Sequence, residues 1–286
     1  MRRTRRAAAP KNAFDERFAG RDLEDRWAKL HKGDQEPYPD APYVTRLARQ
    51  HEKFGAWIKS HGGARAVAAG VQEAWRQFHA GDFAAAIDGG AKLGALGATP
   101  ANKAAAIHSL YADDTEAHRL ALLTGAMKRG EQAAALLPDY PNAHYMLALA
   151  MGRYSQRISI LKALADGIAA RVRTHLDTTL ELEPRHAEAH IALGLYHAEV
   201  VAKIGSLLAG LTYGASREAA VEHFGRALKL TPGSPIAQIE YANGLLLLDA
   251  AANREPARKL YARAAACEPA DAMEQLDVQR AQHVPA

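Results

Sequence analysis

The chain has 286 residues, of which 48% are apolar and 24% charged, so it can bury a sizeable core. The formal net charge is +4, but residues 1–65 carry 15 Lys and Arg against 9 Asp and Glu, and the remainder carries 21 against 23. The body of the protein is therefore close to neutral, which excludes a nucleic-acid footprint spread over one face and any sequence-specific nucleic-acid partner.

The first third of the chain is predicted to precede the main fold. Residues 1–12 are predicted to be a disordered basic arm, because their five basic side chains have no acidic neighbours and no apolar signal-peptide segment follows them. Residues 13–63 are predicted to form an N-terminal helical cap. Its elements are a helix from Phe14 to His31, an extended connector from Gly33 to Pro42 and a helix from about Tyr43 to Ser60.

From residue 64 onward the sequence predicts helical hairpins. The first pairs a helix containing Val67 and Phe78 with one that begins at Asp82, a residue type favoured at the N-cap. The second is predicted to run from Pro100 through Tyr111, with a turn at residues 113–114, and to end at Leu137. No segment shows the period-2 alternation of a strand, so the prediction is an all-α protein.

A pattern of Ala, aromatic, Ala and Pro recurs at offsets of four, three and five residues. The complete copies are Ala220, Phe224, Ala227, Pro232 and Ala257, Tyr261, Ala264, Pro269, and a copy without the aromatic is Ala126, Gly130, Ala133, Pro138. This spacing places two small residues and one ring on a single helix face before the helix ends. Such self-similarity is typical of an α-solenoid of antiparallel helix hairpins, predicted here for residues 64–275 with a tail at 276–286.

Pro184 closes a further unit, so the closing prolines are 46, 48 and 37 residues apart. The two longer intervals predict hairpins with an insertion. The second insertion is rich in small residues: Gly205, Ala209, Gly210 and Gly214. Their spacing would let another backbone approach closely, which predicts a packing role. The alternative role is contact with a ligand or a membrane surface. The longest apolar stretch, Val200 to Tyr213, contains Lys203 and is too short to span a bilayer.

The repeated signature resembles helix B of the tetratricopeptide (TPR) repeat, and the residues before it resemble helix A. Residues 189–194 read AHIALG, and the Gly81-Asp82-Phe83 segment is similar to the turn between the two helices in that family. The similarity covers about residues 66–272. The chain departs from the family where a tryptophan is usual in helix A, since His144, His190 and Gln238 stand there instead.

The long unit that contains residues 190–235 resembles, more narrowly, TPR-like proteins of the regulator-of-microtubule-dynamics type and their bacterial relatives. The likeness lies in Leu193-Gly194, in His197 to Val201, and in the signature that ends at Pro232. That group is adaptor-like, and the resemblance does not extend to microtubule binding by this chain.

Three groups of residues are candidates for chemistry. His186, His190 and His197 fall on one helix face and could hold zinc, whereas the repeat register places the latter two at packing positions. His61 is followed by two glycines as in an oxyanion-hole loop, but the sequence has no nucleophile elbow to use it. The single cysteine, Cys267, has no evident base beside it and excludes an internal disulfide framework. We therefore predict no catalytic residue, no metal and no cofactor, and the protein is not expected to be an enzyme.

The TPR resemblance implies a concave groove that binds a protein or peptide segment. The groove residues that it implies are Asn142, Tyr145, Met146, Arg153, Glu188, Ile191, Glu199, Ile239, Glu240 and Asn243. This mixture of apolar and acidic side chains suits an amphipathic, partly basic partner segment. The predicted function is a non-catalytic binding scaffold.

Two other functions remain open at this stage. One is a carrier of a small molecule or lipid, with an apolar pocket under the Gly-rich hairpin near Tyr213. The other is a metal-dependent hydrolase at the histidine cluster. The absence of a secretory signal and the single cysteine indicate a cytoplasmic protein, and homo-oligomerisation is left open.

Overall fold

The computed structural model describes residues 18–112, 114–159, 162–163 and 166–284, and within these the regular elements are α-helices. The predicted basic arm, residues 1–12, lies outside the described residues. The N-terminal helices are α1 (Asp22–Leu30), α2 (Ala41–Gln50), α3 (Glu52–Ser60), α4 (Gly63–Ala80) and α5 (Phe83–Gly90). The next are α6 (Gly94–Tyr111), α7 (Glu116–Leu136), α8 (Pro141–Ser155), α9 (Ile168–Leu182) and α10 (Ala187–Ile204). The last are α11 (Ser206–Tyr213), α12 (Arg217–Leu230), α13 (Pro235–Leu248), α14 (Ala250–Ala265) and α15 (Ala272–Gln282).

The helices pack as successive hairpins. Helix α6 pairs with α7, α8 with α9, α10 with α12, and α13 with α14, while first helices of neighbouring hairpins also contact each other, as α6 does with α8 and α10 with α13. The closing prolines 138, 184, 232 and 269 all lie between helices. The prediction of an all-α, TPR-like solenoid is therefore confirmed.

Side-chain caps define where many of these helices begin. Asp82 accepts a hydrogen bond from Ala85 N at 3.0 Å, which confirms the predicted cap of α5. Ser216 and Asp271 cap α12 and α15 in the same way, by accepting from backbone N–H groups three residues later. Each cap satisfies a backbone donor that has no partner inside its own helix, so these residues position the ends of the repeat helices.

The repeat signature forms the core of each hairpin. Phe224 is fully buried and stacks on Tyr241 with a centroid separation of 5.1 Å. Its ring lies between α10 and α13 because Gly194 and Gly244 leave room for it, and a Cβ at Gly244 would come within 2.3 Å of the ring. Glycine at these two positions is therefore required by close packing against the aromatic residue of the signature.

Where the TPR family has a tryptophan, this chain uses a polar clamp. His144 Nε2, His190 Nε2 and Gln238 Nε2 each lie within hydrogen-bond reach of the carbonyl of the preceding closing proline, six residues earlier. His144 and His190 also contact helix B of their own unit, through His175 and His223, and Gln238 contacts Cys267, two residues after the end of helix B in its unit. The clamp recurs in all three units, so the departure from the family pattern replaces an apolar contact with a hydrogen bond to the loop carbonyl.

Two predicted helices near the N-terminus have different bounds in the structure. The helix predicted from Phe14 to His31 begins at Asp22 among the described residues. The helix predicted from Tyr43 to Ser60 is two helices, α2 and α3, separated by His51 in an extended conformation. Gly55 permits this break, because a Cβ there would lie 2.3 Å from the carbonyl oxygen of Ala48 in the preceding helix.

Pro100 does not start its helix as predicted but lies inside α6, which begins at Gly94. A proline at this position cannot donate to the carbonyl of Leu96, four residues earlier. The hydroxyl of Thr99 donates to that carbonyl at 2.8 Å instead, so the acceptor that proline leaves free is satisfied.

The Gly-rich insertion also differs from the prediction of close backbone packing. No atom lies within 4 Å of a Cβ built on Gly205, and at Gly210 the nearest atom is 4.0 Å away. Gly205 and Gly214 have φ values of +79° and +59° and lie at the two ends of the short helix α11. Gly205 and Gly214 therefore allow the turns at the two ends of α11, and the insertion does not bring another backbone close.

The N-terminal connector and the C-terminal helix α15 pack against the helices of the array. The backbone N–H of Glu188 in α10 donates to the carbonyl of Gly33 at 3.0 Å, so the connector after α1 lies against the start of α10. Helix α15, which spans the predicted boundary between the repeat domain and the tail at residue 275, contacts α4, α13 and α14. The connector and α15 thereby cover part of the surface that the first helices of each hairpin share.

Candidate functional site

A cavity of about 360 Å³ lies between the helices that begin each hairpin. Its lining comes from α6, α8, α9, α10, α13 and α15, from residues between α8 and α9, and from Tyr213 at the end of α11. The apolar part of the lining is Ile107, Leu110, Ala148, Leu149, Ile158, Ala163, Ile168, Ala169, Val172, Ile191, Ala192, Leu195, Val200, Ile204, Ile236 and Met273. Leu149 and Leu195 are half-buried, so the cavity offers accessible apolar surface to a ligand.

The structure brings together six of the ten predicted groove residues at this cavity: Tyr145, Arg153, Glu188, Ile191, Glu199 and Glu240. The remaining four lie elsewhere. Met146 and Ile239 are 1% exposed and belong to the core, and Asn142 is equally buried. Asn243 contacts Glu240 at 2.8 Å and also accepts a hydrogen bond from Tyr261, so it lies behind the lining.

A buried ion-pair network closes one end of the cavity. Lys103 Nζ in α6 donates to Asp34 Oδ2 at 2.6 Å and to Glu188 Oε1 at 2.8 Å. Burial favours a neutral carboxyl, but Lys103 and then His31 hold the pKa of Asp34 well below its ordinary value. Burial likewise opposes a charged amine, yet Asp34 and Glu188 raise the pKa of Lys103. Burial raises the pKa of Glu188, although Lys103 acts in the opposite direction. The hydrogen bonds of Lys103 to both carboxyl groups tie the N-terminal connector, α6 and α10 together.

Glu36 forms the centre of a second buried polar cluster. Its carboxylate accepts hydrogen bonds from Asn142 Nδ2 at 2.6 Å and from the hydroxyl of Tyr140. Asn142 Oδ1 in turn lies 2.9 Å from His186 Nε2, whose other ring nitrogen accepts from Ala189 N and caps α10. Burial, followed by the charge of Asp34, raises the pKa of Glu36 to about 8. The cluster positions the connector on α8 and α10.

The three histidines considered as zinc ligands have separate partners. His186 belongs to the cluster of Glu36, His190 contacts His223 at 2.9 Å, and His197 Nδ1 accepts from Ser216 N at 3.3 Å. In the described residues, the side chains that converge with the spacing of a metal site are His108, Asp114 and His118, where α6 ends and α7 begins. The carboxylate of Asp114 already pairs directly with both imidazoles.

The sequence interpretation missed the charged side chains that define the polar end of the cavity. Lys103 is a single charge in the stretch ANKAAAI, and a charge on an otherwise apolar helix face is the signal that could have revealed it. Asp34 and Glu36 lie in the proline-containing connector, and Asp277 lies in a segment predicted to be a tail. Only the packing of the connector and of α15 against the array places these three carboxyls beside the repeat helices.

Comparison with known proteins agrees with this architecture. The sequence model of the family described as regulator of microtubule dynamics protein 1-3 matches residues 101–283, more than half of the chain. The chain belongs to this family. The match begins in α6 and ends just beyond α15, so the helices that line the cavity are those of the family domain. No curated protein matches the chain.

Two solved structures are similar to this member of the family. A thermophilic TPR protein of Thermus thermophilus has 17% sequence identity and a TM-score of 0.55, with coverage of 77% of this chain and 100% of that one. A monomeric mutant of IFIT1 with m7Gppp-AAAA has 15% identity and a TM-score of 0.40, with coverage of 89% and 66%. The first similarity supports the TPR-like fold. In addition, no helix of the described residues combines the length and apolar character needed to cross a bilayer.

We expect the stability of this family member to fall as the pH rises from about 6.5 to 8.5. Burial raises the pKa of Glu36 to about 8 and those of Glu274 and Asp277 to about 7. The folded state then holds protons that the unfolded chain releases, so the free energy of unfolding decreases through this range. The buried histidines have the opposite effect on stability, because burial lowers the pKa of His31 to about 4 and that of His186 to about 3. Their effect is confined to pH values below about 6.5, where the histidines of the unfolded chain take up protons.

Thermal unfolding followed by circular dichroism between pH 5 and 9 measures this profile. The variant Glu36→Gln should flatten the fall above pH 7, because it removes the group with the highest of the three pKa values. Glu131→Gln, at an exposed ion pair with Arg171, is the matched control and should leave the profile unchanged. A melting temperature that stays constant or rises from pH 6.5 to 8.5 would contradict the assignment of buried neutral carboxyls.

Proposed function

We propose that the protein is a non-catalytic binding scaffold that holds a segment of a partner protein against its cavity. The observation that carries the proposal is the cavity of about 360 Å³ itself, because it lies on the helices that begin successive hairpins. Those helices are held in place by the repeat core and by the buried ion pairs of Lys103. A preformed apolar site lowers the entropic cost of binding.

The chemistry of the lining supports an amphipathic partner segment. Apolar side chains such as Leu149, Ile191 and Leu195 supply the surface on which anchors of the partner would be buried. The lining also carries four carboxyl groups, of Glu188, Glu199, Glu240 and Asp277, against three basic groups, of Lys103, Arg153 and Lys203, so the charge balance favours basic groups of the partner over acidic ones. A few buried anchors then determine the affinity, rather than the total contact area.

Replacing Leu195 with glutamate tests the proposal. The change places a charge on the half-buried cavity wall, so we expect at least a tenfold loss of partner binding, since a buried unpaired charge is costly. The measurement is affinity purification from a lysate of the source organism, followed by titration with the partner that is recovered. Leu247→Glu is the control, because Leu247 is exposed on α13 and lies outside the lining. Equal recovery of the partner by both variants would contradict the proposal.

A carrier of a small apolar molecule or lipid is the second candidate. Two observations favour it. The N-terminal connector and α15 cover part of the cavity, and Tyr213 belongs to its lining, as expected for a pocket under the Gly-rich hairpin. Native mass spectrometry of the purified protein distinguishes the two functions. A retained ligand mass that is lost in Leu195→Glu would favour the carrier, and an unliganded mass combined with a recovered protein partner would favour the scaffold.

A further inference from the structure

One carboxyl group of the cavity lining has an oxygen without a partner. Asp277, in α15, is 1% exposed and lines the cavity. One of its oxygens accepts a hydrogen bond from the hydroxyl of Tyr111. The other, Oδ2, has no hydrogen-bond partner among the described residues. An unsatisfied carboxylate oxygen in an apolar environment is unfavourable, so this atom is where a bound donor would contribute most.

The charges around Asp277 leave an excess of carboxyl groups. Six carboxyl groups belong to the elements that pack at this end of the cavity. They are Asp34 on the connector, Glu188 on α10, Glu240 on α13, Asp271 at the N-cap of α15, and Glu274 and Asp277 on α15. The basic groups are Lys103 on α6, Arg153 on α8 and Arg280 on α15, with His79 of α4 bonded to Asp271. Lys103 is already shared between two carboxylates, and Arg153 is 3.5 Å from Glu240. Arg280, three residues after Asp277 on the same helix, has a buried nitrogen, Nη1, with no partner among the described residues, and Lys29 of α1 acts on Glu274. Six carboxyl groups thus stand against four lysine and arginine side chains, so this end of the cavity favours an added positive charge when the carboxyl groups are ionised.

We propose that Asp277 is the anchor for a cation at the polar end of the cavity, and that the natural cation is a lysine side chain of the partner segment. The inference rests on the proposed function and deepens it. The butyl chain of lysine would lie on the apolar lining while its ammonium group donates to Oδ2 of Asp277. A lysine side chain combines both requirements, an apolar stem and a terminal donor with positive charge.

The ionisation of Asp277 gives the interaction a defined pH dependence. Burial, and then the neighbouring carboxylates, raise the pKa of this group to about 7. Near pH 6 the carboxyl is mostly protonated and attracts a cation weakly, whereas at pH 8 it is mostly ionised. A cationic ligand should therefore bind more tightly as the pH rises through 7, and a neutral ligand of equal length should not respond.

Titration calorimetry with n-octylamine and n-octanol tests the proposal on the full chain. The two probes share an apolar chain and differ in the head group, and the amine stays protonated between pH 6 and 8. At pH 8 we expect octylamine to bind about tenfold more tightly than octanol, as a charge-assisted hydrogen bond predicts. At pH 6 the difference should shrink several-fold. This comparison needs no substitution, so it holds even where a variant fails to fold.

The variant Asp277→Asn should remove the preference for the amine while octanol affinity stays within about twofold. Asparagine keeps an oxygen for the Tyr111 hydroxyl, so the fold should persist. Retention of the full preference by this variant, or equal affinities at pH 8 in the wild type, would overturn the cation site while leaving the binding cavity intact. Failure of both probes to bind would count against the cavity and hence against the proposed function as well. Native mass spectrometry of the purified protein, before any probe is added, identifies the source of the cation. If it releases a bound alkylamine, the cation comes from a small molecule, and the assignment to a partner lysine is overturned.

Discussion

Replacing Lys103 with methionine is expected to lower the free energy of unfolding by about 3–5 kcal/mol, the range for loss of one partner from a buried ion pair. The ammonium group lies 2.6 Å from Asp34 and 2.8 Å from Glu188, and the Asp34 side chain is 0% exposed. Without Lys103 these carboxylates face each other in an environment that solvates charge poorly. Methionine retains the length and apolar volume of the lysine stem, so the loss reports mainly on the charge.

Equilibrium unfolding in guanidinium chloride measures the change. The control is Lys259→Met, because Lys259 pairs with Glu255 on the surface of α14 and its side chain is 67% exposed. Exposed pairs contribute about 0–1 kcal/mol, so the control should remain close to the wild type. The triple variant Lys103→Met, Asp34→Asn, Glu188→Gln should recover at least half of the loss, because it leaves no charge uncompensated. If Lys103→Met and Lys259→Met were equally stable, the ion pairs would not join the connector to the array.

Replacing Phe224 with alanine is expected to cost about 3–5 kcal/mol of unfolding free energy, the usual range for a fully buried aromatic residue. The ring fills the space between α10 and α13, where both neighbouring helices present a glycine, Gly194 and Gly244. Collapse of these helices onto the vacated volume is limited because each is also fixed in its own hairpin. Chemical denaturation measures the loss, and Val221→Ala on the exposed face of the same helix is the control.

A double-mutant cycle shows whether the glycine and the ring are coupled. Gly244→Ala alone should cost about 1–3 kcal/mol, because a Cβ there would lie 2.3 Å from Phe224 and the ring is held on its other side by Gly194. In the Phe224→Ala background the added methyl group enters vacant space, so the same change should cost much less. Additive effects of the two substitutions would mean that the close approach does not determine the packing of this unit.

The helical repeat was accessible from the sequence because it depends on local periodicity. The signature determines the buried face of a single helix, through Ala220, Phe224 and Ala227, and the end of that helix, through Pro232. The structure confirms both. The break between helices α2 and α3 at His51 could not be predicted from the sequence. It depends on how closely α2 and α3 pack at Gly55, which is a contact between two elements rather than a pattern within one.

The cavity was partly predictable for the same reason. Helix-A register, inferred from the family resemblance, identified Tyr145, Glu188 and Ile191, which line the cavity. The helix register alone did not distinguish residues that line the cavity from residues buried away from it, such as Asn142 and Met146. That distinction depends on which segments cover the groove. The cover is the connector that contains Asp34 and the helix that contains Asp277.

The sequence by itself thus determined the all-helical class, the repeat and the turns at the closing prolines, since helix periodicity, caps and prolines act over distances of a few residues. The tertiary structure decided which charges become buried together. Asp34, Lys103, Glu188 and Asp277 are far apart along the chain. Only the packing of the connector and of α15 on the array brings Asp34 to Lys103 and places Asp277 beside the same cavity as Lys103 and Glu188. Local patterns carry no information about that packing, because it depends on contacts and charge pairs between segments that are distant in the sequence.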